Sequence, residues 1–70
     1  MGKPLTPKTK ETLDYIKNYI DKWGFAPTID EIRIVFHLKS LSTAHERVES
    51  LIEKGYLRRY ALKARGLEVI

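Results

Sequence analysis

Cysteine is absent from these 70 residues, so no disulfide and no thiolate metal ligand holds the fold together. Two histidines, His37 and His45, stand eight apart in the numbering with no neighbouring ligand set, and no metal site is expected. Long apolar runs are missing too. Nothing approaches the ~20 consecutive apolar residues that span a bilayer, and Met1 to Lys10 has no apolar segment of the signal-peptide kind. Glycine-rich phosphate loops, nucleophile-and-base spacings and acids isolated in apolar sequence are likewise absent, which argues against an enzyme and against a bound cofactor. Glutamine is lacking and Asn18 is the single asparagine, beside abundant Lys, Glu and Ile, a balance that leans towards a thermophilic or AT-rich source.

A chain this short makes one domain, 1–70, and buries only about 60% of its unfolded surface, so its core is thin. Its apolar fraction of 43% is ordinary for a globular protein. The net charge of +4 is unevenly spread: residues 1–35 carry six Lys/Arg against five Asp/Glu, and residues 36–70 carry seven against four. A basic C-terminal half suits a polyanionic partner, although charge of this kind also serves solubility alone.

Thr6 caps a first helix, Pro7 stands where a missing N–H costs nothing, and Gly24 ends the helix in left-handed geometry. Leu13, Ile16, Ile20 and Trp23 recur at helical spacing as its core stripe. Tyr15, Tyr19, Trp23 and Phe25 are read as core and flank rather than as a binding surface. Thr28 and Glu31 form a capping box for a second helix with Ile29, Ile32, Val35 and Phe36 as its apolar positions. His37-Leu38-Lys39 is a short connector. Ser40 then caps a third helix whose buried stripe is Leu41, Ala44, Val48, Leu51 and Ile52, stopped by Lys54-Gly55. Past Gly55 the period becomes extended, and residues 61–65 form the tip between two strands. The expected elements are helices over 7–23, 29–37 and 41–54 and strands over 56–60 and 66–70. The fold class is therefore mainly α with a small β-hairpin: a winged helix-turn-helix, three helices followed by a two-stranded wing.

In helix-turn-helix docking the N-terminal residues of the third helix reach base edges in the major groove. Ser40, Ser42, Thr43, His45 and Glu46 occupy that end. Glu46 can accept from a cytosine amine, Ser42 and Thr43 can donate or accept, the Thr43 methyl can meet a thymine methyl, and His45 can donate to guanine or phosphate. The plain alternative is the solvated face of an amphipathic helix. Glu49 and Glu53 lie towards the other end, with Glu53 placed to pair with a basic neighbour. On the wing, Arg58, Arg59, Lys63 and Arg65 interleave with Tyr56 and Tyr60 and suit phosphates or the minor groove; protection of an exposed edge strand is the competing explanation. Lys39, Arg47 and the helix cap Thr28 complete the expected phosphate contacts.

These segments together resemble the N-terminal DNA-binding domain of LexA repressors, over nearly the whole chain from Leu5-Thr6 to Ile70 and without a gap. The resemblance is carried by Leu5-Thr6, Pro27-Thr28-Ile29-Asp30-Glu31-Ile32, Lys54-Gly55 and Arg65-Gly66-Leu67, which stands where the family has Arg-Gly-Ile. It implies an operator-binding domain of a transcriptional repressor of the DNA-damage response, with each domain on half of a palindromic double-stranded DNA operator. In that family the full-length protein dimerises through a C-terminal domain that also holds a Ser/Lys self-cleavage site, and neither lies in these 70 residues. The isolated domain is then monomeric and pairs on DNA or through such a domain, in the cytoplasm at the nucleoid and away from membranes. Ser40 and Glu46 match the family's base contacts. Ser42 stands where Asn is familiar, Thr43 where Ala is, and His45 where Glu is, so no operator sequence carries over. Arg33 and His37 replace small residues. The alternatives from other classes are a winged-helix protein-interaction module and a non-specific nucleic-acid-binding domain.

Overall fold

Each of three helices begins at a hydroxyl side chain that closes its first turn. A computed structural model describes residues 4–59 and 66–70 of the chain. Helix α1 (Pro7–Trp23) is capped by Thr6, whose hydroxyl accepts from the Thr9 backbone N–H at 3.2 Å. Helix α2 (Ile29–Val35) carries a complete capping box: the Glu31 N–H donates to Thr28 Oγ1 at 3.1 Å, and the Thr28 N–H donates to Glu31 Oε1 at 2.7 Å. Helix α3 (Leu41–Glu53) is capped by Ser40. Strands β1 (Leu57–Arg59) and β2 (Leu67–Val69) pair antiparallel, Arg58 facing Glu68 in register. The strands are shorter than 56–60 and 66–70, but the Ile70 N–H donates to the Tyr56 carbonyl at 3.1 Å and continues the ladder. Tyr60 and the expected tip 61–65 lie outside the described residues.

The core is one cluster: Leu13 and Ile16 from α1, Ile32 from α2, Ala44, Val48 and Leu51 from α3, and Leu57 from β1. Helix α3 packs against α1, α2 and β1, so its apolar face organises the whole. The buried face of α1 also contains Thr9 and Thr12, which the apolar stripe does not include. Their hydroxyls are satisfied nearby: Thr12 Oγ1 donates to the Lys8 carbonyl at 3.0 Å, and Thr9 Oγ1 shares a hydrogen bond with Thr6 Oγ1 at 2.7 Å. A buried hydroxyl so paired carries little desolvation penalty.

Three residues expected in the core are exposed instead: Trp23, Val35 and Leu41. Trp23 has the right angle on α1 but sits in the last turn, where it lies against the Tyr19 ring, centroids 6.2 Å apart. Val35 falls on the flank of α2, about 60° around the helix from Ile32 at 100° per residue. Leu41 is the first residue of α3 and sits about 60° off the direction of Ala44 on the same count.

Helix α2 ends at Val35 and not at residue 37, for a reason visible in the backbone. His37 has φ +53, in the left-handed region. The Leu38 N–H reaches the Arg33 carbonyl at 2.9 Å and the His37 N–H the Ile34 carbonyl at 3.2 Å, the paired closure of a Schellman motif. Helix α3 ends in the same way around Gly55, φ +86, which stops it at Glu53 with Lys54 as cap. Helix α1 ends on Gly24, φ +79, as its sequence requires. At His37 a side chain bears a conformation that glycine adopts freely, at a cost of about 1 kcal/mol or somewhat more.

His37 is exposed, so replacing it removes no burial. His37→Gly should raise the unfolding free energy by roughly 0.5–1 kcal/mol, the relief of strain less the entropy glycine loses. His37→Val should lower it. Thermal and urea unfolding of the three proteins checks both signs; a glycine variant less stable than the parent would contradict the assignment of strain. A second test concerns Glu31, which also accepts from the Tyr19 hydroxyl at 3.1 Å and so ties α2 to α1. Glu31→Ala should cost about 2 kcal/mol, more than Tyr19→Phe alone, measured by the same unfolding curves.

Candidate nucleic-acid interface

Helix α3 presents its first two turns to solvent because its packed face points the other way. Ser40, Ser42, Thr43, His45 and Glu46 are all exposed, and the structure brings these five expected base-reading residues onto one end of one helix. Thr43 is drawn to the cap: its N–H donates to Ser40 Oγ at 3.4 Å and the two hydroxyl oxygens lie 3.2 Å apart. No acidic residue occupies the first turn of α3, and exposed Lys39 immediately precedes the cap. The orphan backbone donors and the positive end of the helix dipole therefore face outward without a local carboxylate.

The N-terminus of α2 is different. Asp30 and Glu31 lie in its first turn, and the Glu31 carboxylate is already bonded to the Thr28 N–H. A phosphate near Thr28 would meet two carboxylates, whereas one near Ser40 would not. Asp30 is in turn paired with Arg33 at 2.9 Å.

The wing arginines are held by acids on two sides. Leu57 and Arg59 share one face of β1, as the period of two demands. Leu57 enters the core on that face, and Arg59, one step beyond it, reaches Glu49 on α3. Arg58 points to the opposite face and pairs with its cross-strand partner Glu68. The basic pairing expected of Glu53 is thus found at Glu49 among the described residues. Glu49 also stands 3.4 Å from His45 Nε2, one helical turn before it. A chain of side chains, His45–Glu49–Arg59, consequently joins the exposed N-terminal half of α3 to the wing. Arg47, half-buried, lays its guanidinium over the Phe36 ring, 5.6 Å from the centroid. Lys63 and Arg65 lie outside the described residues.

Two features of this surface escaped the sequence reading. Glu49 lies towards the other end of α3 in the sequence, yet the i, i+4 spacing from His45 is the signal that places it beside that side chain. Leu41 was assigned to the core, although its side chain is exposed next to Ser42. Among the described residues no group of His, Cys, Asp and Glu is placed to hold a metal ion, and no helix is long and apolar enough to cross a membrane.

Three helices, a tight α2–α3 turn and an antiparallel hairpin with this exposed helix end agree with a match to the family model of the LexA DNA binding domain over residues 2–66. The chain belongs to that family. Among curated relatives it is 48% identical over 66 residues to the LexA repressor of Finegoldia magna, covering 94% of this chain and 32% of that protein. It is 44% identical over 70 residues to the LexA repressor of Pelotomaculum thermopropionicum, covering all of this chain and 34% of that one. With the LexA repressor of Caldicellulosiruptor saccharolyticus the identity is 41% over 70 residues, 35% of that protein. The chain therefore spans about a third of the length of the relatives it matches.

The Glu49–Arg59 pair is exposed on both sides, at 42% and 44%, so solvent screens it. A double-mutant cycle through Glu49→Ala and Arg59→Ala should return a coupling of about 0.2–1 kcal/mol at low salt, shrinking towards zero near 1 M. A coupling that is large or indifferent to salt would mean that the pair is desolvated.

Proposed function

We propose that residues 1–70 work as a single winged helix-turn-helix domain that binds double-stranded DNA sequence-specifically, as the operator-binding part of a LexA-like transcriptional repressor of the DNA-damage response. The observation that carries this reading is the exposed, acid-free first turn of α3, set on a fold of the LexA DNA-binding family. Seated in the major groove, α3 offers Ser40, Ser42, Thr43, His45 and Glu46 to base edges. Glu46 is the acceptor for a cytosine amine, and Ser42 has a hydroxyl free to take either role. Lys39 supplies a phosphate contact beside the Ser40 cap, where backbone donors reinforce it. Arg47 serves a neighbouring phosphate, while Thr28, beside Asp30 and Glu31, keeps its capping role.

Arg58, Arg59, Lys63 and Arg65 give the wing its affinity for the backbone. Arg58 and Arg59 have carboxylate partners, and a guanidinium with five donors can keep one carboxylate while turning its other edge to a phosphate. Each domain takes one half of a palindromic operator, in the cytoplasm at the nucleoid, with dimerisation on DNA or through a further domain. The residues present here carry no peptidase machinery; their work is binding.

Fluorescence anisotropy against a duplex recovered from a random pool, and against its scrambled counterpart, tests the reading. At about 150 mM salt the recovered duplex should bind about 10³-fold more tightly, and equal affinities would contradict sequence-specific binding. Lys39→Ala should weaken binding to both duplexes alike and reduce the salt slope by about one phosphate. Glu46→Ala should instead flatten the preference at one base pair, by about 1–3 kcal/mol, and leave the salt slope unchanged.

A further inference from the structure

Leu41 is an exposed apolar side chain between two exposed serines. It is 52% exposed, lies about 60° around α3 from the direction of Ala44, and directly follows the Ser40 cap as the first residue of α3. Its sequence neighbours Ser40 and Ser42 are exposed, and so is His45, which lies four residues on along the same edge of the helix. A leucine left half in water at this place gains only part of what a core leucine gains from burial. The other candidate for apolar contact, the Thr43 methyl, belongs to a side chain drawn towards Ser40 by two hydrogen-bonding contacts.

The major groove contains one apolar group that marks sequence, the C5 methyl of thymine. Residues at the N-terminal end of a recognition helix are those that reach base edges. The geometry points to Leu41 as a specificity-determining residue that packs against a thymine methyl in the operator half-site. This inference rests on the proposed docking of α3 and adds to it a base identity and the side chain that reads it. A contact between a leucine and a methyl group needs no hydrogen bond from the base, so replacing thymine by uracil removes it while leaving the pairing and the groove acceptors intact.

The test uses the 70-residue chain and a duplex recovered from a random pool. Each thymine of the half-site is replaced in turn by deoxyuridine, and anisotropy measures binding by the parent chain, by Leu41→Ala and by Leu41→Ser. For the parent, one replacement should weaken binding about fourfold, the worth of one methyl group withdrawn from water. At that same position Leu41→Ala and Leu41→Ser should show no further loss, while their responses at other thymines stay those of the parent. Circular dichroism confirms that the variants keep the helical content of the parent, which an exposed first-turn position permits. Variants that retain the full methyl penalty at every thymine would overturn the assignment, as would a recovered half-site with no methyl-sensitive thymine. Failure to recover any preferred sequence is a separate outcome; it would remove the docking of α3 and this assignment with it.

Discussion

The packed face of α3 is the constraint from which the rest of the structure follows. Ala44, Val48 and Leu51 are withdrawn from solvent on it, and α1, α2 and β1 each pack against this one helix. A 70-residue chain has little apolar surface to spare, so committing that face to the core fixes which face is left over. The free face carries the hydroxyls, His45 and Glu46, and its polar end is held out by the Ser40 cap. The core face and the exposed face are two sides of one helix, so the packing of the one sets the direction of the other. The satellite contacts serve the same placement: Glu31 bridges α1 and α2 through Tyr19, and Arg59 leans on Glu49.

Electrostatics at this surface are more balanced than the net charge suggests. The excess of basic residues sits in the C-terminal half, yet two of the wing arginines and Arg33 each have a carboxylate within reach. Among the described residues Lys39 is exposed and stands next to the acid-free N-terminus of α3. Of the three acids of α3, Glu49 is less available to a basic protein partner, since it is engaged by Arg59 and His45. That weakens the case for a protein-interaction module built on an acidic helix face. It also divides the labour expected of the interface: an open helix end for bases, and a wing whose arginines are shared between the protein and a polyanion.

Most of the fold was legible because its boundaries are written in local chemistry. Thr6, Thr28 and Ser40 announce helix starts, Gly24 and Gly55 announce stops, and the structure uses each of them for that purpose. His37 was illegible for the converse reason: it occupies a left-handed turn without the glycine that signals one, so α2 was drawn two residues too long. Trp23, Val35 and Leu41 were misassigned because periodicity gives an angle around a helix and says nothing of whether a neighbour lies there. Thr9 and Thr12 passed unnoticed since a buried hydroxyl bonded within its own helix leaves no apolar mark. The shared exposed end of Ser40, Ser42, Thr43, His45 and Glu46 follows from the position of the third helix, while the partners of Arg58 and Arg59 depend on strand register and on packing between elements, which no local pattern encodes.

Whether the free end of α3 is the surface that meets DNA can be read directly from backbone amide shifts in NMR spectra during titration with a recovered operator duplex. Docking through α3 predicts the largest perturbations at residues 39–46, with smaller ones on the wing and little change at Trp23 and Phe25. Perturbations concentrated around Trp23 and Phe25, with residues 39–46 unmoved, would contradict it.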